Sequence, residues 1–319
     1  MTAKQKLLAL LGPTAVGKTA LSIKLAKALG TEIISGDSML IYRGFDIGAA
    51  KPTMEERQGI VHHLIDIRDP WQSYSVQEFQ QDADACIRAA AARGLVPFLV
   101  GGTGLYVQSL VEGYVFNEAG SDPAYRAALV RMSEEQGGAA VYELLQRVDS
   151  KAADTIHPNN VRRVIRALEV AHEGRETISR KKQVEAPYDA MVIGLSRPRP
   201  ELYERINERV RLMMQNGLVE EVRGLLAHGI TRDMQAMQGI GYKEIAAYLA
   251  GECTEEEAVT AVQTATRHFA KRQLTWYRRM HYIHWYDATQ PQERLLAEIL
   301  SDVRRFLAGI SPERSNENR

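Results

Sequence analysis

Residues 12–19 read Gly-Pro-Thr-Ala-Val-Gly-Lys-Thr. The octapeptide fills the GxxxxGK[ST] pattern at every position, following the apolar run Leu7–Leu11 and preceding a helical pattern that reaches Leu29. Strand, glycine-rich turn and helix is the context in which this pattern makes a phosphate cradle. The two glycines free the backbone to turn its N–H groups onto one anion, and the helix start adds partial positive charge. Gly12, Pro13, Thr14, Ala15, Val16, Gly17, Lys18 and Thr19 are therefore the candidate diphosphate or nucleotide loop. Lys18 is expected to reach the terminal phosphates and Thr19 to offer its hydroxyl to Mg²⁺.

Three further apolar runs repeat the theme, at residues 32–36 (EIISG), 95–100 (LVPFLV) and 190–195 (AMVIGL). Runs that are apolar on both faces and alternate with helices predict an α/β fold with a parallel sheet covered on both sides. Residues 117–188 hold no such run and read as helices at Ala124–Met132, Ala139–Val148 and Asn159–His172. The expected organisation is a first core part at 1–116, an inserted helical domain at 117–188, and core completion with C-terminal helices at 189–319. After Arg197 the pattern stays helical to about Ile310, with Pro198 and Pro200 at the first turn of a long helix.

The chain of 319 residues is 45% apolar and 25% charged, which excludes a disordered or collagen-like polymer. No apolar run is long enough for a membrane span, and the N-terminus lacks a leader pattern. Two cysteines build neither a disulfide framework nor a zinc ribbon, so the cytoplasm is the expected compartment. Forty basic against forty acidic residues exclude a bulk polycation but leave room for local basic patches.

Asp37, in Ser35-Gly-Asp-Ser38, ends the second run at the carboxyl edge of the sheet, where it should face whatever the first loop holds. It reads as a general base or metal-associated carboxylate, and also as an N-cap for a following helix. Gly101-Gly-Thr-Gly104 ends the third run in the same position, and Thr103 there has a hydroxyl to give to a phosphate oxygen. Adjacent His62 and His63 on a strand would point to opposite faces, which favours structural or substrate contacts over a shared metal.

Two regions are strongly basic. Residues 157–182 carry seven Lys or Arg (Arg162, Arg163, Arg166, Arg175, Arg180, Lys181 and Lys182) against three acids. Residues 258–286 contain no acid, and Arg267, Lys271, Arg272, Arg278 and Arg279 are interleaved there with Trp276, Tyr277 and Tyr282. At 100° per residue, Arg267, Lys271 and Arg278 lie within about 40° of one another, opposite Val259, Val262, Thr266, Phe269 and Tyr277. A solvated face normally mixes signs, so two acid-poor basic segments point to a nucleic-acid backbone.

The ordered series GPTAVGKT (12–19), SGDSMLIYRGFDIGAAKP (35–52), HHLIDI (62–67), VGGTGLY (100–106), NNVRRVIRALEV (159–170), GIGYKEI (239–245) and KRQLTWYR (271–278) resembles the tRNA dimethylallyltransferases, or tRNA isopentenyltransferases. The resemblance covers most of residues 7–285. It implies transfer of a dimethylallyl group from dimethylallyl diphosphate to the exocyclic amine of the adenosine 3′ to the tRNA anticodon, with Mg²⁺ as cofactor. Asp37 would take the proton, while Lys18 and Thr103 would steady the leaving diphosphate. The family pattern also assigns tRNA contacts to Asp37, Ser38, Met39 and Leu40, to Thr103, and to Val161, Arg162, Arg163, Val164 and Ile165. Gly239, Tyr242, Lys271, Arg272 and Arg278 follow in the same role. Arg223 is expected as a diphosphate ligand. The partners implied are the anticodon stem-loop and dimethylallyl diphosphate, with no membrane and a monomeric chain.

A small-molecule kinase using ATP shares the phosphate loop and has a use for Asp37, but no need of two basic helical regions. A switch-type module that binds nucleotide and RNA would carry a guanine-reading NKxD signature, which is missing.

Overall fold

The computed structural model describes residues 4–116, 122–173 and 185–310. They divide into two compact units, one of residues 1–112 with 186–319 and one of residues 113–185.

The first unit is built on β1 (Gln5–Leu11), whose residues Leu7 to Leu11 are entirely buried. A strand hidden on both faces must lie inside a sheet, and β1 sits between β4 (Phe98–Gly101) and β5 (Tyr188–Ser196). The order is β3-β2-β4-β1-β5-β6, with β2 at Ile33–Ser35, β3 at His62–His63 and β6 at Ile283–Asp287. All neighbours run parallel, with Leu8 opposite Phe98 and Leu10 opposite Ile193. The period of two then sorts the core: Leu7, Ala9 and Leu11 enter one layer, Leu8 and Leu10 the other. Each buried leucine stabilises the fold by roughly 1.5–3 kcal/mol.

Helices cover both faces. On one lie α1 (Lys18–Leu29), α9 (Arg199–Gln215) and α13 (Gln292–Leu307). The other carries α3 (Val76–Ala92), α4 (Gly104–Val111), α10 (Leu218–Ala227) and α11 (Tyr242–Leu249). A short α2 (Met54–Arg57) precedes β3, and the long α12 (Glu255–Tyr277) adds residues to both layers. Among the described residues, no helix is long and apolar enough to cross a membrane.

The chain is not helical throughout from Arg197 to Ile310, because β6 intervenes and pairs with β5 (Val192 opposite Ile283). Its sequence, IHWYD, is built from β-branched and aromatic residues, with Ile283 and Tyr286 buried and Trp285 and Asp287 exposed at the sheet's edge. The helical period of α12 ends at Tyr277, six residues before β6 begins at Ile283.

The second unit consists of α5 (Pro123–Gln136), α6 (Gly138–Val148), α7 (Ser150–Ala153) and α8 (Val161–His172). Asp122 caps α5 by accepting from the amides of Ala124 and Tyr125, and Asn160 caps α8 by accepting from Arg163. The core holds Leu129, Val141, Leu145, Val164, Ile165 and Leu168. Val164 is fully buried and Ile165 is 5% exposed, so both side chains are spent on this core and not offered at the surface as the family pattern implied. Val161 packs half-buried against it, while Arg162 and Arg163 are exposed. Arg166 pairs with the buried Glu169 at 3.3 Å, as does Arg126 at 3.1 Å. Arg175, Arg180, Lys181 and Lys182 lie outside the described residues.

Candidate active site

The carboxyl edges of β1, β2 and β4 open onto a cavity of about 380 Å³. The phosphate loop forms one wall, with Ala15 and Gly17 in left-handed conformations (φ 64° and 115°). Gly17 sits at the N-terminus of α1, where any other residue would be strained. Lys18 Nζ donates to the carbonyl oxygens of Gly12 (2.7 Å) and Pro13 (2.8 Å), holding the loop closed on itself. Burial, and next the Arg209 guanidinium, pull the Lys18 ammonium down to about 7 against the opposing pull of Asp37. An arriving diphosphate reverses that balance, because an adjacent anion favours the charged amine.

Arg209, on α9, was not anticipated. It lines the cavity and donates to the Thr14 hydroxyl at 3.3 Å; burial lowers its pKa. Arg205, one turn earlier, donates to the Ala15 carbonyl at 2.9 Å. The i, i+4 spacing of these arginines in ERINERVR was the available signal, masked because the flanking glutamates make the stretch look like a solvated face. Arg223, expected in this role, is exposed on α10 and pairs with Glu220 at 3.3 Å, away from the cavity walls.

Asp37 and Thr103 stand on the facing wall. Asp37 Oδ1 accepts from the Met39 amide at 2.9 Å, a local turn; no helix follows directly, so Asp37 is not a helix cap. The Thr103 hydroxyl accepts from the Ser38 amide at 3.1 Å, tying this turn to the Gly101–Gly104 turn. A methyl group on Gly102 would lie 3.6 Å from Asp37 Oδ2, 4.0 Å from Lys18 Nζ and 2.7 Å from Gln273 Nε2. The base candidate, the loop lysine and the buried amide of Gln273 thus converge on one point, and glycine keeps it open.

Ser38, Met39, Leu40, Gly239 and Arg272 also line the cavity, as do the apolar side chains of Met213, Ile240 and Phe269. Tyr242 does not. It is completely buried beneath the loop after Phe45, its hydroxyl donating to Glu221 (2.7 Å) and accepting from the Ala49 amide (3.0 Å). Glu221 also accepts from the amides of Asp46, Ile47 and Gly48. The Tyr242 side chain therefore braces a cavity wall and is buried away from the surface that the family pattern assigned to RNA.

On α12 the expected two-faced pattern holds in part: Val262 and Tyr277 are buried, Val259, Thr266 and Phe269 are half-buried, and Ala270 and Gln273 are buried beside them, while Lys271, Arg272, Arg278 and Arg279 are exposed. His268, Lys271, Arg272, Thr275, Trp276 and Arg279 line a hollow on the outer side. Arg267 instead turns to α9, donating to Asn207 (2.6 Å), and also donates to Thr264 on its own helix (2.9 Å).

His62 lines the cavity with Nδ1 on the Ile60 carbonyl (2.9 Å), whereas His63 pairs with Glu32 at 2.7 Å. The two rings diverge as the strand period predicts, and among the described residues no cluster of three His, Cys, Asp or Glu is placed to hold a metal. An all-oxygen set is available for Mg²⁺: Thr19 and Asp37 line the cavity with Ser35, whose buried hydroxyl has no hydrogen-bond partner.

The IPP transferase family model matches residues 40–280, and the isopentenyl transferase model matches residues 5–70. The tRNA dimethylallyltransferase of Bacillus mycoides is 47% identical over 99% of this chain and 98% of its own. That of Geobacillus thermodenitrificans is 49% identical over 96% and 97%. Among solved structures, the tRNA isopentenylpyrophosphate transferase of Bacillus halodurans superposes with a TM-score of 0.72 at 46% identity, covering 96% of both chains. A eukaryotic dimethylallyltransferase described as acting on tRNA superposes with a TM-score of 0.81 at 26% identity, over 97% of this chain and 82% of that one.

Proposed function

The chain belongs to the IPP transferase family, whose curated relatives are tRNA dimethylallyltransferases, and from that premise we propose how its residues carry out the reaction. It transfers a dimethylallyl group from dimethylallyl diphosphate to the exocyclic amine of the adenosine 3′ to the tRNA anticodon. The carrying observation is the convergence of Lys18, Asp37 and Gln273 on the space before Gly102.

The diphosphate occupies the Gly12–Thr19 loop, where backbone amides, Lys18 and Arg209 meet it. As the allylic carbon–oxygen bond breaks, charge builds on the leaving oxygen, and these donors stabilise it where it develops. The Thr103 hydroxyl adds a further donor. Thr19, with Asp37 or Ser35 nearby, would hold Mg²⁺, which would supply further neutralisation of the diphosphate. The allylic carbon tolerates cationic character, so a neutral adenine amine suffices as nucleophile. The nitrogen–carbon bond forms as the carbon–oxygen bond breaks. The amine becomes acidic as it does so, and Asp37 takes the proton. Met213, Ile240 and Phe269 give the dimethylallyl group an apolar wall that excludes water.

The target adenosine lies in a loop, where a base can be splayed out and inserted beside Ser38, Met39 and Leu40. Exposed Arg162 and Arg163 on α8, and Lys271, Arg272 and Arg278 around the end of α12, provide phosphate contacts to the anticodon stem-loop. The chain is taken to act as a monomer in the cytoplasm.

A direct test incubates the protein with unmodified tRNA, Mg²⁺ and radiolabelled dimethylallyl diphosphate and counts acid-precipitable label. Label that appears in tRNA and is lost in Lys18→Ala is the expected result. Absence of label, with phosphate passing from ATP to a small acceptor, would assign the loop to kinase chemistry.

A further inference from the structure

We infer that Gln273 is a positioning residue whose single planar amide sets the spacing between the diphosphate cradle and the acceptor wall; the inference rests on the reaction proposed above. Gln273 is 5% exposed on the inner face of α12. Its Oε1 accepts from the Thr14 amide of the phosphate loop at 2.8 Å, and its Nε2 donates to the Gly102 carbonyl at 2.8 Å. One loop holds the leaving group, and the other leads directly into Thr103, which grips Ser38 beside Asp37. Tyr277, one turn along, donates to the same Gly102 carbonyl at 2.7 Å.

Two consequences follow from the chemistry of that amide. The Thr14 N–H is occupied by Gln273 and is removed from the donors facing the diphosphate. The separation between the two loops is also fixed by a rigid group with one acceptor and one donor end. Displacement at carbon needs leaving oxygen, carbon and incoming nitrogen in line, and a misplacement of about 1 Å costs on the order of 10²-fold in rate. The closest replacements fail one demand or both. Glutamate would set an acceptor against the Gly102 carbonyl, asparagine falls one methylene short, and methionine fills the space but bonds neither loop.

The test compares wild type with Gln273→Met and Gln273→Glu by steady-state kinetics with dimethylallyl diphosphate and tRNA. Affinities for inorganic diphosphate with Mg²⁺ and for tRNA, and the melting temperature, are measured alongside. The expected result for Gln273→Met is a loss of roughly 30- to 100-fold in kcat with both affinities within about 3-fold. Gln273→Glu should be slower still. If Gln273→Met does not fold, Tyr277→Phe removes the companion bond to the same carbonyl while keeping the ring, and should lower kcat about 3- to 10-fold with the same unchanged affinities. Wild-type kcat in the soluble variants would overturn the inference, as would a diphosphate affinity that falls in step with kcat and melting temperature. Failure of the wild type to label tRNA would instead count against the proposed reaction.

Discussion

Replacing Tyr242 by phenylalanine separates a bracing role from an RNA contact. The substitution keeps the ring, which packs 4.5 Å (centroid to centroid) from Phe45, and removes only the hydroxyl. That hydroxyl donates to the Glu221 carboxylate at 2.7 Å and accepts from the Ala49 amide at 3.0 Å, in a position with no exposed surface. A hydrogen bond to a charged group contributes about 1.5–3 kcal/mol, and a stranded buried amide costs about 1–3 kcal/mol. Since Glu221 keeps three backbone donors, the combined loss should be roughly 2–4 kcal/mol. For a unit of this size that lowers the melting temperature by roughly 4–16 °C. Circular dichroism melts give the stability, and filter binding gives the tRNA affinity at a temperature where both proteins are folded. The expected outcome is a clear drop in melting temperature with tRNA affinity within about 3-fold. An unchanged melt accompanied by a tenfold or greater loss of tRNA binding would refute the reasoning and restore Tyr242 as an RNA contact.

Other perturbations have equally definite outcomes. Arg209→Ala should raise the KM for dimethylallyl diphosphate by tenfold or more, whereas Arg223→Ala, which breaks only an exposed pair, should leave it unchanged; the reverse order would return Arg223 to the diphosphate site. Charge reversal at Arg162 and Arg163 should weaken tRNA binding and flatten its salt dependence, because the slope counts neutralised phosphates; an unaltered slope would take α8 out of the RNA footprint. Glu32, bonded first by Arg93 and then by His63, has its carboxyl pulled down to about 2. A depressed folded-state pKa gives stability that is full above the unfolded value, near 4.5, and is lost as pH falls towards 2. The difference in urea midpoint between wild type and Glu32→Gln should therefore be present at neutral pH and shrink below about pH 4. A difference independent of pH would remove the charged pairing from the explanation.

Much of the core was legible because its signals are local. The run Leu7–Leu11 could only be a strand buried on both sides, and the loop after it admits few conformations. Asp37 and Thr103 followed from topology, since carboxyl edges of neighbouring parallel strands share one crevice. The edge strand β6 was hidden because its pairing partner, β5, lies some ninety residues earlier and only tertiary contact distinguishes it from a fraying helix. Motif resemblance placed Tyr242, Val164 and Ile165 within the right segments but gave no account of which face each side chain takes. Burial decides that, and it turns all three inward. Arg209 and Gln273 were missed for the complementary reason. Each looks like an ordinary residue of a polar helix, and becomes part of the site only when α9 and α12 fold over the phosphate loop.

The most direct measurement is to digest tRNA to nucleosides after incubation with dimethylallyl diphosphate and either wild type or Asp37→Ala, and to locate any added mass. Wild type should place one dimethylallyl unit on the adenosine 3′ to the anticodon. Asp37→Ala should reduce that product by about 10²-fold or more while tRNA affinity stays within a few-fold. Modification at a different nucleoside, or full activity without the Asp37 carboxylate, would contradict the proposed chemistry.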